Sequence, residues 1–69
     1  MISYERLFRT MHEKNVTTYK LFKQGFSSSV YYSIKRGNSV STNTIDHLCR
    51  ILECEISDII EYLDEPAVD

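Results

Sequence analysis

The chain has 69 residues, of which 42% are hydrophobic and 26% charged, with a formal net charge of −2 and a sequence pI near 5.6. This length predicts one domain with one modest core, which dimerisation would help to stabilise. The longest apolar runs are two or three residues, so no segment is expected to span a membrane, and nothing resembles a signal peptide.

Charge is distributed unevenly along the chain. Residues 1–37 contain seven basic and two acidic residues and carry a net charge of +5, whereas residues 38–69 contain one basic and eight acidic residues and carry −7. Such a split indicates a basic face that meets phosphates and an acidic face turned to solvent or to a partner. The alternative is that a short chain divides its charges unevenly by chance.

The first helix is predicted from about Ser3 to Lys14, with Asn15 as a suitable C-cap. Its apolar residues recur at positions i, i+3, i+4 and i+7, which places them on one face of a helix. These residues are Tyr4, Leu7, Phe8 and Met11.

The run from Thr17 to Gly37, TTYKLFKQGFSSSVYYSIKRG, predicts two short helices joined by a turn. Thr17 or Thr18 can cap the first of them, which ends near Gln24, and Gly25 can adopt the left-handed conformation that closes a helix. The next helix starts at a serine cap and is closed by Gly37. This arrangement is a helix-turn-helix, the commonest protein device for reading duplex DNA.

The later helix of this pair has Ser27 or Ser28 as its cap and extends to about Arg36. The side chains expected to point inward and fix the angle between the helices are Leu21, Phe26, Val30, Tyr31 and Ile34.

Two further helices are predicted in the second half of the chain. One follows Ser41 or Thr42 as cap and has its apolar stripe at Ile45, Leu48, Cys49 and Leu52. The other, with Ser57 as cap, has the same spacing at Ile56, Ile59, Ile60 and Leu63. A brief alternation near residues 38–43 is interpreted as a loop. Pro66 begins a short acidic tail, 66–69, which is expected to be frayed, so the domain comprises residues 1–65.

The order of these elements resembles the Cro and phage-repressor type of helix-turn-helix family, also called the xenobiotic-response-element type. The resemblance covers about residues 3–63 and is carried by FSSSVYYSIKRG and by TIDHLCRILECEISDII. The chain is most similar to small stand-alone bacterial regulators that begin with ISY-x-x-L and end with DIIEY. One difference is that Leu21 and Phe22 precede the turn glycine by only two further residues, where family members often have three. The resemblance implies an all-α, five-helix, lambda-repressor-like domain with the helix-turn-helix at helices 2 and 3.

The resemblance also implies which residues contact double-stranded DNA. Base edges are expected to be read by exposed positions early in the third helix, namely Ser28, Ser29, Tyr32 and Ser33. Contacts to the phosphates of the DNA backbone are expected from three places: the start of the second helix, the start of the third helix, and the end of the third helix with the loop after it. The residues are Thr17, Thr18, Ser27, Lys35, Arg36 and Asn38. Lys20 and Lys23, on the outer face of the second helix, are expected to reach the same backbone.

These assignments have structural alternatives. Each lysine can be an ordinary solvated charge, and Ser27 is better explained as a helix cap than as a base reader. Serine can donate to or accept from several bases, so three serines discriminate weakly, and Tyr32 is expected to carry more of the selectivity.

Other chemistry has little support in the sequence. His12, His47, Cys49 and Cys54 lack the spacing of zinc ligands, so no metal or other cofactor is predicted. Cys49 is expected to be a buried structural thiol and His47 to be exposed. Two cysteines are too few for a disulfide scaffold, which favours reduced thiols in an intracellular compartment.

Catalysis is not expected either. The sequence has no glycine-rich phosphate loop and no nucleophilic serine elbow. The carboxylates Asp58, Glu61, Asp64 and Glu65 are adjacent along the closing segment (residues 56–65), which is predicted to be a helix, rather than opposed across a cleft.

The sequence therefore predicts a cytoplasmic, nucleoid-associated transcriptional regulator encoded by a bacterium or phage. We expect a repressor that occupies a palindromic site as a homodimer, with half-sites about 34 Å apart and residues 59–63 as the dimer surface. No effector domain is recognised, so control by concentration, by a competing regulator or by a protein partner is expected. The alternative is an interaction module, similar to an antirepressor or antitoxin, whose acidic region 46–65 binds a basic partner without DNA.

Overall fold

The structure, a computed structural model, describes residues 1–64 of the chain. Within them lie four α-helices, namely α1 (Glu5–Glu13), α2 (Thr18–Lys23), α3 (Ser28–Lys35) and α4 (Thr42–Leu52). A short strand, β1 (Ile2–Ser3), precedes the helices, and a 3₁₀ turn (Ile56–Asp58) and a second strand, β2 (Glu61–Tyr62), follow them. The predicted tail 66–69 lies outside the described residues.

The first helix is shorter than predicted at its start. Ser3 lies in β1, its hydroxyl accepts a hydrogen bond from the Glu5 N–H at 3.3 Å, and α1 begins only at Glu5. Lys14, not Asn15, is the C-cap, and Asn15 is the left-handed residue directly after it.

The predicted fifth helix is not confirmed, because its residues form the 3₁₀ turn and β2 instead. In an α-helix the carbonyls of Ser57 and Asp58 would accept from N–H groups four residues further along. Here the Arg6 guanidinium donates to the Ser57 carbonyl at 3.1 Å, and the Thr10 hydroxyl donates to the Asp58 carbonyl at 2.7 Å. The chain then straightens, and β2 pairs antiparallel with β1, Ile2 opposite Tyr62.

The cap of this closing segment also differs from the prediction. Glu55, not Ser57, precedes the 3₁₀ turn, and its N–H donates to the Asp58 carboxylate at 3.1 Å. That bond tightens the turn at its first residue.

Side-chain hydroxyls cap three of the helices at their N-termini. The acceptors are Thr17 for α2, Ser27 for α3 and Ser41 for α4, each bonded to an N–H three residues along at 3.2–3.4 Å. The sequence offered two neighbouring candidates for each of these caps, and in every case the first of the two is the N-cap. The caps fix where each helix begins and hence which residues of α3 face outward.

The four described helices end in a common way. Just beyond each helix lies a residue with a positive φ: 56° at Asn15, 97° at Gly25, 84° at Gly37 and 50° at Glu53. It is the second residue after α1, α2 and α3 and the first residue after α4. The next N–H then donates to the carbonyl five residues back, at 2.8–3.3 Å, from Val16 to Met11, Phe26 to Leu21, Asn38 to Ser33 and Cys54 to Cys49. This six-to-one hydrogen bond is the mark of the Schellman ending. At α1, α2 and α3 the positive-φ residue also donates its N–H to the carbonyl three residues back, whereas at α4 the Glu53 N–H donates to the Cys49 carbonyl.

The hydrophobic core is formed by all four helices and the closing segment. Its buried apolar residues are Leu7, Met11, Leu21, Phe26, Tyr31, Ile34, Ile45, Leu48, Leu52 and Ile59. Four of the five residues predicted to point inward from the central helix pair are among them, and the fifth, Val30, is half-buried. Cys49, expected to be buried, is half-buried as well.

The Tyr31 ring lies where α1, α2 and α3 meet. It makes edge-to-face contacts with Phe8 at 6.1 Å, with Phe22 at 5.6 Å and with Tyr32 at 5.3 Å between ring centroids. Such contacts add to the free energy gained by burial. Burial, followed by the charge of Tyr32, raises the pKa of the Tyr31 hydroxyl above its ordinary value of 10.0.

Glu53→Gly is expected to raise the free energy of unfolding by about 1 kcal/mol, because glycine adopts a positive φ without the clash of a Cβ atom. Glu13→Gly, at the last residue of α1, makes the same change in charge at a position with helical φ and is expected to lower the free energy of unfolding by up to about 1 kcal/mol. Urea unfolding of both variants beside the wild type measures the difference. If Glu53→Gly lowers the free energy of unfolding as much as Glu13→Gly does, the positive φ at residue 53 is not a source of strain.

Tyr31→Phe is expected to reduce the loss of stability at alkaline pH. A raised pKa means that the native state resists deprotonation, so wild-type stability is unaffected below the ordinary pKa and falls as pH rises through the folded-state pKa. Removing the hydroxyl removes this contribution but keeps the ring. Urea unfolding at neutral pH and near pH 11 tests it, with the exposed Tyr19→Phe as control. The same pH dependence in Tyr31→Phe as in the wild type would refute it.

Candidate nucleic-acid interface

The two sides of α3 have different chemistry. Tyr31 and Ile34 are buried in the core, whereas Ser28, Ser29 and Tyr32 are exposed on the other side. A helix places residues i, i+1 and i+4 on one broad face, so these three side chains form a continuous outer surface. Three of the four predicted base-reading residues therefore share one accessible face.

The N-terminus of α3 is organised by serine hydroxyls. Ser27 accepts from the Val30 N–H at 3.4 Å, and its hydroxyl lies 3.0 Å from that of Ser29. The N–H groups of Ser28 and Ser29 precede the first possible intrahelical bond and are available to an acceptor outside the helix. Ser27 is thus a structural cap, and the first turn that it supports presents small polar groups and a partial positive charge.

The Tyr32 ring is held in place although it is exposed. It lies 6.2 Å from the Phe22 ring of α2 and 5.3 Å from the Tyr31 ring, and 49% of its surface is accessible. The packed side of the ring restricts its rotamers, while the open side is free to stack on a base or to contact a thymine methyl group.

Ser33, the fourth predicted base reader, differs from the other three. It is half-buried, and its hydroxyl accepts a hydrogen bond from the Asn38 side-chain amide at 3.3 Å. The Asn38 backbone N–H also donates to the Ser33 carbonyl at 3.1 Å. Ser33 and Asn38 therefore hold the loop after α3 against the helix, a contact that the sequence did not predict.

The basic side chains of the helix-turn-helix are not neutralised by carboxylates. Within residues 1–64 the two ion pairs are Arg6–Glu61 and Arg50–Asp46, each at 3.2 Å, and both lie outside the helix-turn-helix. The Lys35 ammonium lies 5.0 Å from the centre of the Phe8 ring, and that of Lys23 lies 5.7 Å from the Tyr19 ring. The Lys20 ammonium donates to the Asn15 carbonyl at 3.1 Å, and Arg36 is exposed. The charge on all four is available to an anionic surface.

A groove of about 340 Å³ lies between the end of α1, the start of α2 and the end of α3. Its wall is apolar and includes Phe8 and Tyr31, while Thr17, Thr18 and Lys35 border it. These three are predicted phosphate contacts from two different helices, and the fold brings them to one opening. His12 borders the same groove, whereas the sequence suggests no role for it at a DNA surface. Nothing in the helical spacing places His12 beside α2, because that proximity depends on how α1 packs.

The other candidate sites do not assemble. No group of three or more potential metal ligands occurs in residues 1–64. No helix in that part of the chain is long and apolar enough to cross a membrane. His47 is exposed as predicted, with its ring 5.6 Å from that of Phe26.

Comparison with known proteins gives one match. No curated protein and no solved structure matches the chain significantly. The model of the Cro/C1-type HTH DNA-binding domain matches residues 6–65, which include the helix-turn-helix and the closing segment. Because this match covers most of the 69 residues, the chain belongs to the Cro/C1-type helix-turn-helix family of DNA-binding domains, whose members act in transcription regulation.

Proposed function

We propose that this protein binds specific double-stranded DNA sequences through the exposed face of α3 and represses transcription by occupying a promoter. The observation that carries the proposal is the set of cations without carboxylate partners on either side of that face. Phosphates attract such cations irrespective of sequence, and the side chains between them then meet the base edges. Membership of a DNA-binding family supports the same conclusion.

The phosphate contacts fall into two groups. At the start of α2 and the start of α3, hydroxyls and free N–H groups meet the backbone, at Thr17, Thr18 and Ser27. Cationic and amide side chains extend the contact along both sides, at Lys20, Lys23, Lys35, Arg36 and Asn38. When DNA binds, the Lys35 ammonium leaves the Phe8 ring and contacts a phosphate oxygen.

Base reading is assigned to Ser28, Ser29 and Tyr32, with Ser33 in a lesser role because its hydroxyl is already bonded to Asn38. Serines at the first turn allow α3 to approach the major groove closely but accept several bases. Tyr32, whose ring is fixed by Phe22, distinguishes sequences more strongly. Much of the remaining specificity comes from DNA shape and from the spacing of half-sites.

We further propose a homodimer on a palindromic operator, because a single module of this size reads only a few base pairs. The sequence suggested residues 59–63 as the dimer surface, but Ile59 is fully buried in the monomer core and Ile60 is half-buried. Tyr62 and Leu63 remain exposed, and the β1–β2 pairing places them beside the exposed Met1 and Ile2. Residues opposite each other in the pair point to the same face and successive residues to opposite faces, so Ile2 and Tyr62 share one face and form the apolar ribbon, our candidate dimer surface.

The protein acts where duplex DNA is found, which for a regulator of this family is the nucleoid in the cytoplasm of a bacterium, whether the gene is chromosomal or phage-derived. Concentration, a competing regulator or a protein partner sets its occupancy of the operator. The competing proposal is an interaction module without DNA binding. It is favoured by exposed carboxylates in the acidic region, among them Asp46, Glu53 and Glu55.

Lys35→Ala is expected to weaken binding to all duplexes about three- to tenfold and to lower the salt slope by about one. Tyr32→Ala is expected instead to change the ranking of sequences in a selection from random duplexes, since it removes a base contact. Mobility shifts at several salt concentrations, and the selection itself, measure the two effects.

Arg50→Ala serves as the control for Lys35, because Arg50 is an exposed basic residue that is paired with Asp46 outside the helix-turn-helix. It is expected to leave the salt slope unchanged. If neither Lys35→Ala nor Tyr32→Ala alters DNA binding, while Asp46 or Glu53 substitutions abolish the biological effect, the interaction module is the better explanation.

Tyr62→Lys is expected to convert a dimer into a monomer, because it places a charge in the apolar ribbon. Ile56→Lys is the matched control, since Ile56 is 60% exposed and Tyr62 is 68% exposed, but Ile56 lies in the 3₁₀ turn. Sedimentation at high protein concentration, with and without DNA, distinguishes the variants. A wild-type protein that sediments as a monomer under both conditions would refute the dimer.

A further inference from the structure

The two cysteines of the chain come together at the end of α4. Cys49 lies in the last turn of the helix, Glu53 reverses the chain with a φ of 50°, and the Cys54 N–H donates to the Cys49 carbonyl at 3.1 Å. Both side chains are half-buried against the core. The helix ending therefore folds Cys54 back over Cys49, and the five-residue spacing in sequence becomes a contact in space.

The Schellman geometry suits a disulfide. The side chains at these two positions of such an ending frequently touch, and proximity of the two residues is the first requirement of a disulfide, whose α-carbons lie about 4.4–6.8 Å apart. Both cysteines pack against the same core, and the backbone hydrogen bond between them holds the two residues next to each other.

We propose that Cys49 and Cys54 are a modification site at which a low-molecular-weight disulfide, of the glutathione type, reversibly installs an internal disulfide bond. The thiolate of one cysteine attacks a sulfur of the small disulfide, which forms a mixed disulfide and releases one small thiol. The second cysteine then attacks the protein-side sulfur, and the second small thiol leaves. Two protein thiols are oxidised, the small disulfide is reduced to two thiols, and the two protons pass to the released thiolates.

The surroundings set the pH at which this exchange is fast. Burial, the neighbouring Cys49 and the Asp58 carboxylate raise the pKa of the Cys54 thiol above its ordinary value of 9.0, while the Lys14 ammonium acts in the opposite direction. Cys54 is therefore protonated at neutral pH, and its exchange accelerates as pH rises through that raised pKa.

The bond acts at the connection between α4 and the closing segment. The residues directly after Cys54 form the 3₁₀ turn, whose carbonyls accept from Arg6 and Thr10 of α1. A bridge across Glu53 keeps the end of α4 from fraying and restricts the unfolded chain. This inference does not depend on DNA binding or on dimerisation.

The test is to equilibrate the purified full-length chain with mixtures of oxidised and reduced glutathione, at neutral and at alkaline pH, and to measure intact mass. The expected product has lost two hydrogen atoms, carries no glutathione and is not crosslinked to a second chain. Its midpoint of thermal unfolding is expected to exceed that of the dithiol form by about 5–10 °C.

A matched control keeps two thiols but moves one of them. Combining Cys54→Ser with Glu55→Cys places the second thiol one residue further along, outside the helix ending, and is expected to accumulate glutathione adducts. Cys49→Ser alone is expected to do the same. If wild-type protein gives adducts or intermolecular disulfides to the same extent as these variants, the proposal is wrong. It is equally wrong if the bridged wild-type form melts below the dithiol form, a result that needs no variant.

Discussion

Burial of the Tyr31 ring between three helices is the constraint on which the geometry of the proposed DNA-binding face depends. Its edge-to-face contacts with Phe8 and Phe22 join α1 and α2 to the inner side of α3. Because protein interiors are close-packed, a shift of any one of these helices opens a void or creates a clash at this ring. The position of the outer face of α3 relative to the start of α2 is therefore set by an apolar contact on the opposite side of the helix.

The remaining architecture compensates for the shortness of the helices. They contain between six and eleven residues, below the length of about 12–15 at which isolated helices become stable in water. Hydroxyl caps and Schellman endings satisfy backbone groups at their termini, and the core supplies the rest. The closing segment contributes through α1, where Glu61 pairs with Arg6. The acidic half of the chain thus neutralises a cation away from the helix-turn-helix and leaves the charge of α2 and α3 free.

Much of this fold could be predicted from sequence, because the signals for the four helices are local. Thr17, Ser27 and Gly25 act on backbone groups within a few residues, and the helical spacing of apolar residues identifies the inner face of α3. The spacing of Ile56, Ile59, Ile60 and Leu63 is equally helical, yet that segment ends as a 3₁₀ turn and a strand. Its carbonyls are taken by Arg6 and Thr10, which are about fifty residues away in sequence, and no local pattern contains that information. The groove that unites Thr17 with Lys35 and the burial of Ile59 depend on tertiary packing in the same way.

The exposed serines of α3 have a consequence for how this regulator can change over time. Ser28 and Ser29 lie outside the core, and exposed positions of this kind usually tolerate substitution with little effect on folding. Tyr31 and Ile34, on the inner side, hold the helix in the same place whatever residues occupy those outer positions. Under the proposed function, operator preference and structural integrity would therefore reside in separate residues of one eight-residue helix. A few surface substitutions would then change the DNA target and leave the fold intact.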